Sequence, residues 1–330
     1  SPILQVPHGG IWDRSFVLEP LKELCPQVIL PNKKESLLQR SREQKSKEYI
    51  PRLMGIFNLT PDSFSERAEP LYRDGQNYLK NLNISLFHEK LNHLDSCLIP
   101  YIDLGGESTR PGAEVVTPEQ EWSRLKPALD FLMNRYQNKV FRPKISVDTR
   151  HPWVAKQALR YSVDCLNDVS GLADFEMIRV LQASACDYVL MHSLTVPASK
   201  EVTLPDNVDV VKEIKDWFFE KLELLTQNGI SADRIIFDPG IGFGKTAKQS
   251  IELLARVHEF FNLPVRILVG HSRKSFINHW GERAAGDRDI ESIAISLELC
   301  QRGVDILRVH QPDLHFRALK AYQGVKRWSV

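Results

Sequence analysis

The sequence contains little cysteine, no long apolar run and almost no net charge. Its five cysteines are scattered over 330 residues without a C-x-x-C pair, so we expect neither a disulfide nor a zinc framework. No stretch approaches the roughly 18 apolar residues of a transmembrane helix, and the N-terminus lacks the apolar core of a signal peptide. The formal net charge of +1 gives no reason to expect a nucleic acid or a membrane surface as a partner. We therefore expect an intracellular protein in a reducing compartment.

Composition divides the chain into three stretches. Residues 1–31 form a short unit of their own, and residues 32–50 begin with the highly charged segment NKKESLLQRSREQKSK. We interpret the second stretch as a linker or a solvated helix rather than a binding patch. Residues 51–330 change to short apolar, β-branched runs that alternate with longer segments of helical apolar spacing. The hydrophobic content of 42% is sufficient for a full core in this third stretch.

Eight apolar runs alternate with helical patterns, and this alternation predicts the fold. Continuous apolar strands separated by helices are typical of a parallel sheet buried on both faces. Eight such units favour a closed (β/α)8 barrel, with an open doubly wound sheet as the alternative. The runs are RLMGIF (52–57), YIDLGG (101–106), KISVD (144–148), VDCLND (163–168), DYVLMH (187–192), RIIFD (234–238), VRILVG (265–270) and DILRVH (305–310).

Polar or charged side chains stand at or just after the end of nearly every predicted strand. Taken singly, each of these residues would be interpreted as a helix N-cap or an Asx turn. In a (β/α)8 barrel, however, all strand C-termini open onto one face, where the loops build the active site. The set therefore predicts an enzyme. Its members are Asn58, Asp103, Glu107, Asp148, Asn167, Asp168, His192, Asp238, Ser272, Lys274, Arg308 and His310.

The glycine-rich segment DPGIGFGKT (238–246) does not fit two well-known nucleotide motifs. A phosphate-binding loop, G-x-x-x-x-G-K-[ST], would require glycine where Pro239 stands, and the G-x-G-x-G spacing differs from the dinucleotide pattern G-x-G-x-x-G. GHSRK likewise differs from the G-x-S-x-G pattern of serine hydrolases. The glycines more plausibly let this loop approach a ligand closely.

Seven motifs together resemble dihydropteroate synthase, over about residues 52–320. They are MGIFNLTPDSFS (54–65), DLGGESTRPGA (103–113), SVDT (146–149), LNDVSG (166–171), DPGIGFGKT (238–246), GHSRKS (270–275) and RVH (308–310). The resemblance implies that 6-hydroxymethyl-7,8-dihydropterin diphosphate is joined to p-aminobenzoate with release of pyrophosphate. It also implies a dissociative, SN1-like mechanism through a pterin carbocation.

The resemblance assigns the pterin ring to residues on several strand ends. A pterin edge presents N–H donors and ring acceptors, and burying these groups unpaired costs about 1–3 kcal/mol each. Asp148, Asn167 and Asp238 would pair with the ring, Lys274 would contribute from the seventh strand, and Met191 would pack against it.

Charged and amide side chains would hold the diphosphate. Arg308 and His310 lie two residues apart on one strand, hence on one face, and would form an anion cradle with Arg110. Asn58 would bind Mg²⁺ on the diphosphate. The catalytic residues implied by the resemblance are Asp62, Lys274, Arg308 and His310.

Two loops would close over the carbocation and shape the p-aminobenzoate pocket. The first carries Asp62 and Phe64, and the second carries Ser108 and the other members of ESTRPG. Ser275, expected at the N-terminus of the seventh helix, would bind the p-aminobenzoate carboxylate with help from the helix dipole. The residues implied for this substrate are Phe64, Thr109, Arg110, Pro111, Phe243 and Ser275.

The N-terminal unit carries a weaker resemblance of its own. VPHGGIWDRSFVLEPLKELCP (6–26) is similar to the C-terminal end of hydroxymethyldihydropterin pyrophosphokinase, an α+β enzyme. We therefore expect residues 1–31 to be the remnant of such a domain and the full-length protein to be bifunctional. The family further implies a homodimer, in the cytoplasm or, in a fungus or plant, in the mitochondrion.

Two departures and two alternatives accompany this interpretation. The D-G-G that usually follows PDSFS is replaced by Glu66, Arg67 and a longer segment, and residues 281–290 are also unusual. The alternatives are a pterin-dependent methyltransferase barrel, which has no need for ESTRPG or SRKS, and a catalytically silent barrel that serves as an interaction module.

Overall fold

The computed structural model describes residues 50–60, 82–110, 112–199 and 201–327. Eight parallel strands form a closed barrel in which each strand pairs with the next and β8 pairs with β1. The strands are β1 (Arg52–Asn58), β2 (Tyr101–Gly105), β3 (Lys144–Asp148), β4 (Cys165–Asp168), β5 (Asp187–Met191), β6 (Ile235–Asp238), β7 (Arg266–Val269) and β8 (Ile306–Val309). Each strand overlaps its predicted apolar run. The predicted (β/α)8 barrel is confirmed, and the open sheet is excluded.

An α-helix follows every strand along the chain. The helices are α1 (Ile84–Ser96), α2 (Pro118–Tyr136), α3 (Pro152–Leu159), α4 (Glu176–Gln182), α5 (Val210–Gln227), α6 (Ala247–Ala255), α7 (Asp289–Arg302) and α8 (Pro312–Arg327). Short 3₁₀ helices cover Ala232–Arg234, Val257–Asn262, Ser275–Trp280 and Ala285–Asp287. None of the helices in these described ranges is long and apolar enough to cross a membrane.

Two helices begin at capping boxes, which follow the ESTRPG loop and the GFGK loop. Thr117 accepts a hydrogen bond from the amide of Gln120, whose side chain accepts one from the Thr117 amide, immediately before α2. Thr246 and Gln249 repeat this arrangement before α6. Because such a box satisfies two otherwise unpaired backbone donors, it determines where each helix starts. The ESTRPG and GFGK loops therefore each lead into a defined helix start.

The structure corrects two predicted helices. The segment KQSIELLARVHEFF (248–261) has the apolar spacing of one helix, but α6 ends at Ala255 and a 3₁₀ helix follows. Buried Val257 and Phe260 lie three residues apart, a spacing that suits either helix type, so the apolar pattern could not distinguish them. The placement of Ser275 at the start of the seventh helix is also wrong. Ser275 begins a 3₁₀ helix that ends at Trp280, and α7 begins only at Asp289.

The inside of the barrel changes from apolar to polar along the strands. One apolar layer fills its middle, formed by Met54, Tyr101, Cys165, Val189, Ile236, Leu268 and Ile306. Successive side chains of a strand point to opposite faces, so the next inward position lies two residues further on. On four strands that position is polar or charged, namely Asp103, Asn167, Asp238 and Arg308. The carboxyl ends of the strands thus enclose a polar chamber above this apolar layer.

Candidate active site

A cavity of about 410 Å³ opens at the carboxyl ends of the strands. The structure brings many of the predicted site residues together around it. Those that line it are Asn58, Thr109, Arg110, Asp148, Phe243, Lys274, Ser275, Arg308 and His310. Asn167, Met191 and Asp238 are buried at neighbouring strand ends. Of the remaining predicted residues, Asp62, Phe64 and Pro111 lie outside the described ranges.

The floor of the cavity is a network of charged hydrogen bonds that spans the barrel. Arg308 donates from Nε to Asp103 at 2.6 Å and from Nη2 to Asp148 at 2.7 Å. Asn167 donates to the same Asp103 oxygen at 3.2 Å. One carboxylate therefore holds two predicted ligands, Arg308 and Asn167, and Arg308 in turn holds a third, Asp148. Arg308 also contacts Asp148, a residue predicted to bind the pterin ring, whereas the sequence analysis assigned Arg308 to the diphosphate.

Asp103 was predicted as one of the polar strand ends, but no role in binding was assigned to it. Its side chain is fully buried, and its Oδ1 atom has no hydrogen-bond partner among the described residues. The signal was present, since Asp103 follows the inward-facing Tyr101 by two positions on β2.

Burial shifts the ionisation of the groups around this floor. It raises the pKa of Asp148 to about 7, even though the Arg308 guanidinium acts in the opposite direction. Burial also raises the pKa of Asp238, while the charge of Lys274 lowers it. For Lys274 itself, burial lowers the pKa to about 8 against the attraction of Asp238. An acid and a base therefore change charge close to neutral pH in one chamber.

Lys274 is held over the β6–α6 loop. Its ammonium donates to the carbonyl of Ile241 at 2.6 Å and lies 4.6 Å from the centre of the Phe243 ring. The charge of Lys274 also acts on Asp238. Lys274 therefore interacts both with a predicted ligand of the pterin ring and with Phe243, which is predicted to line the p-aminobenzoate site.

His310 faces a hydroxyl at the end of β8. Its Nδ1 lies 3.1 Å from Ser272 Oγ, and its backbone amide donates to the same oxygen at 3.3 Å. Burial and the positive charges of Arg273 and Arg308 hold the pKa of His310 well below its usual range. The imidazole is therefore neutral at physiological pH, and it can serve an anion as a hydrogen-bond donor rather than as a cation.

The turn that presents Lys274 and Ser275 is supported from behind by two arginines. Arg273 adopts a left-handed backbone with φ of +59° and forms a two-pronged ion pair with Asp289 at 2.7 and 2.8 Å. Its carbonyl accepts a hydrogen bond of 2.8 Å from Arg288. A strained backbone persists where its surroundings determine it, and this turn carries two predicted site residues.

A second feature that the sequence did not reveal is a buried lysine behind the cavity. Lys245 donates to His192 Nδ1 at 2.8 Å, to the His192 carbonyl at 3.2 Å and to the Phe243 carbonyl at 2.8 Å. These three acceptors match the three donors of an ammonium group. Burial and the charge of Lys245 lower the pKa of His192 to about 2. Lys245 thus ties the end of β5 to the loop that carries Phe243.

The residues around Asn58 fit one part of a magnesium site. The described ranges contain no group of three or more histidine, cysteine or acidic side chains that could hold a metal on their own. Asn58 nevertheless lines the cavity, and its amide oxygen lies beside Gly105, as Asp148 does. A single oxygen ligand suits Mg²⁺, which usually keeps several waters and binds through substrate phosphates.

Fold and site together define a (β/α)8-barrel enzyme with a buried polar chamber. Its mouth carries the loop at Ser108–Arg110, called the arginine loop below, in which Arg110 is exposed. The family model described as pterin binding enzyme matches residues 99–310. The dihydropteroate synthase of Neisseria meningitidis serogroup C is 35% identical over 279 residues, which cover 83% of this chain and 93% of that protein. The chain belongs to the pterin-binding enzymes and, within them, to the dihydropteroate synthases.

Two further comparisons extend this result. The folate synthesis bifunctional protein of Chlamydia caviae is 33% identical over 333 residues, covering 96% of this chain and 72% of the relative. Residues 51–330 make up a smaller share of the chain than this, so the match includes part of the N-terminal segment. The dihydropteroate synthase structure from Clostridium difficile, determined in the presence of pteroic acid, has a TM-score of 0.72 and 33% identity. It covers 84% of this chain and 97% of that protein.

Proposed function

We propose that this chain joins 6-hydroxymethyl-7,8-dihydropterin diphosphate to p-aminobenzoate, releasing pyrophosphate and forming 7,8-dihydropteroate. The observation that carries the proposal is the charged floor, where Arg308 holds Asp103 and Asp148 at one end of a cavity. The arginine loop and Lys274 stand over the same cavity. This arrangement offers a dry site for a polar heterocycle next to a site for an anion, in a chain that belongs to the dihydropteroate synthases.

The pterin ring would lie on the floor. Asp148, Asn167 and Asp238 would accept hydrogen bonds from the ring N–H groups or donate to its acceptors, and Lys274 would donate to a ring acceptor. Met191, buried at the end of β5, would pack against the ring. Because these groups are desolvated in the free protein, each correctly placed pair strengthens binding, and each missing one leaves a buried group unsatisfied.

The diphosphate would lie toward Arg110 and His310. The guanidinium of Arg308 would contribute from the ring side, and His310 would donate a hydrogen bond from Nε2. Asn58 would hold Mg²⁺ together with oxygens of the substrate. When bound, the ion would neutralise part of the charge on the departing pyrophosphate.

The amine substrate would enter beside Phe243 and Thr109, with its carboxylate at Ser275. These three residues line one cavity in the structure. Phe64, Pro111 and Asp62, which lie outside the described ranges, are assigned here by the family motif alone. The 3₁₀ helix at Ser275 contributes backbone N–H groups only over its first turn, so the hydroxyl of Ser275 would provide the main contact.

The reaction would break a carbon–oxygen bond before the carbon–nitrogen bond forms. As the pterin methylene carbon loses pyrophosphate, negative charge grows on the leaving oxygen, where Arg110, Arg308 and His310 stabilise it. The carbocation is then attacked by the amine nitrogen, which loses one proton. Closure of the two loops would exclude water, which could otherwise capture the cation.

The domain organisation follows from the same family. We propose that residues 1–31 are the C-terminal end of a pyrophosphokinase-like domain, that residues 32–50 form a linker, and that residues 51–330 form the synthase barrel. The match to the bifunctional Chlamydia caviae protein, which extends beyond the barrel, supports this division. The barrel would function as a homodimer, in the cytoplasm or, in a fungus or plant, in the mitochondrion.

Pyrophosphate release by the purified chain tests the function. Release should require both the pterin diphosphate and p-aminobenzoate, and Lys274→Met should remove it without loss of the folded circular dichroism spectrum. Release without the amine would indicate simple hydrolysis of the diphosphate. No release with both substrates, in a chain that binds the pterin, would leave a silent pterin-binding barrel and overturn the proposal.

A further inference from the structure

An ion pair joins the base of the β2–α2 loop to the end of β3. Arg150 donates from Nε and Nη2 to the two carboxylate oxygens of Glu107, at 2.8 and 2.9 Å. The Glu107 side chain is 6% exposed and that of Arg150 is 21% exposed. Glu107 comes two residues after the end of β2, and Arg150 comes two residues after Asp148 on β3. The pair therefore connects the loop that carries Thr109 and Arg110 to the strand end that carries a pterin ligand.

Neighbouring contacts make this base rigid. Arg124 on α2 donates to the carbonyl of Gly106 at 3.0 Å. A Cβ on Gly106 would lie 2.9 Å from the carbonyl oxygen of Glu121, so helix and loop touch through their backbones. The Glu121 carboxyl accepts a hydrogen bond from Thr149 at 3.1 Å, and burial raises its pKa well above the usual range.

Glu107 lines the cavity, but its carboxylate is engaged within the protein. Both of its oxygens are engaged by one guanidinium in a two-pronged geometry, the strongest form of such a pair. His151 lies 3.8 Å away, but burial and the Arg150 charge lower its pKa, so it offers no competing positive charge at neutral pH.

We propose that Glu107 and Arg150 are a positioning pair, which sets the affinity for p-aminobenzoate by holding the loop at Ser108–Arg110 in its binding geometry. This inference rests on the proposed function and extends it to residues that do not touch the reacting atoms. If the loop leaves this geometry part of the time, the apparent affinity for the amine falls by the fraction that remains competent. Binding of the pterin ring, which depends on the floor, is expected to change little.

The pair could instead act only through its charges, and two substitutions separate these cases. Glu107 is among the acids that raise the pKa of Asp148. Glu107→Gln removes a negative charge and Arg150→Gln removes a positive one, so an electrostatic effect on Asp148 must have opposite signs in the two variants. A positioning effect has the same sign in both, because either change breaks the pair.

The experiment measures KM for p-aminobenzoate, the Kd of the pterin alcohol, which lacks the phosphates that Arg110 would bind, and the pH profile in both single variants and in the double variant. Each single change should raise KM about tenfold, and the double change should be no worse than either, as for two residues that act through one contact. The Kd of the pterin alcohol should stay within about twofold, because no floor residue is altered.

A matched control is available at the opposite end of the barrel. Arg266 forms the same two-pronged pair with Asp187, at 3.0 and 2.9 Å, with the two side chains 26% and 15% exposed. Arg266→Gln makes the same chemical change at similar exposure, far from the cavity, and should leave KM unaltered.

Three results would overturn the inference. They are an unchanged KM in both single variants, shifts of opposite sign, or an equal loss of pterin affinity. Hydrogen exchange of the amides at residues 108–110 decides it independently of activity, since both variants should exchange there about tenfold faster than Arg266→Gln. A wild-type chain that releases no pyrophosphate would overturn the proposed function alone, whereas unaltered exchange in an active chain would overturn only this inference.

Discussion

Arg308 donates a hydrogen bond of 2.6 Å to Asp103, which lies 205 residues away in the sequence. The two residues are on β8 and β2, the strands that pair with β1 on its two sides. The same guanidinium also holds Asp148. A buried pair of this kind contributes little net stability, but removing one partner strands the other charge in a poorly solvated site. We therefore interpret the Arg308–Asp103 contact as one that holds the proposed ring ligands in place. Its loss should lower the affinity for the pterin more than the stability of the protein.

Asp103→Asn should weaken binding of the pterin ring. The change keeps the shape of the side chain but removes the charge that holds Arg308 and Asn167, so affinity should fall about tenfold or more. The loss should be equal for pterin alcohol and pterin diphosphate, since Asp103 lies at the ring. Calorimetric titration measures both, and Asp187→Asn, which breaks a pair at the far end of the barrel, is the control. Wild-type affinity in the variant would remove Asp103 from the site.

Arg308→Ala tests whether this arginine serves the ring, the diphosphate or both. From its contacts with two carboxylates we expect affinity for pterin alcohol to fall about tenfold, with a larger loss for the diphosphate. A paired titration with the two ligands gives the answer. If only the diphosphate loses affinity, Arg308 acts purely as the anion ligand that the sequence predicted.

The pH dependence of kcat/KM for the pterin substrate should be bell-shaped. Asp148, with a pKa of about 7, becomes a charged acceptor as the pH rises, and Lys274, with a pKa of about 8, loses its donor charge above that value. Activity should thus rise through the lower pKa and fall through the higher one, as apparent values of the coupled site. Lys274→Arg should move the alkaline limb to higher pH. A flat profile across both values would contradict these assignments.

Lys245→Met should destabilise the protein and also weaken p-aminobenzoate binding. The change leaves three buried acceptors on His192 and Phe243 unpaired, which costs about 1–3 kcal/mol in the free energy of unfolding. Urea denaturation and KM for the amine report the two effects. Lys248→Met, at an exposed position on α6, is the matched control. Stability and KM equal to those of this control would show that the lysine is dispensable.

Gly240→Ala should be far more damaging than Gly229→Ala. Both glycines have positive φ, +68° and +80°, so the intrinsic backbone cost of about 1 kcal/mol is shared. At Gly240, however, a Cβ would overlap the carbonyl oxygen of His192, whereas at Gly229 the described residues leave it open space. Thermal unfolding should show a clearly larger loss for Gly240→Ala. Equal losses would indicate that the DPGIGFGK loop can move away.

Much of the fold and of the site was readable from local sequence. The eight strands are recognisable because a strand buried on both faces is largely apolar, as YVLM in β5 is. Asp148, Asn167 and Asp238 could be placed in one pocket because the carboxyl ends of barrel strands share a face. The start of α2 also has a local cause, because Thr117, Pro118 and Gln120 form a capping signal within four residues, although the sequence analysis did not use it.

Other features depend on distances that no local pattern encodes. Ser275 begins a 3₁₀ helix because the turn before it is held by Asp289 and Ser292, residues that belong to a later helix. Lys245 is a buried positioning group rather than a phosphate ligand because β5 brings His192 within reach.

The sequence by itself determined which residues form strands, which helices follow them and which strand ends are polar, because hydrophobic periodicity and capping act over a few residues. Only the tertiary structure decided that Arg308 meets Asp103 and that Glu107 meets Arg150. Those contacts join residues on different strands, and their distances depend on the register and closure of the whole barrel. A side chain two residues beyond a strand, such as that of Glu107, has several residues within reach. The closure of the eight strands determines which of them it contacts.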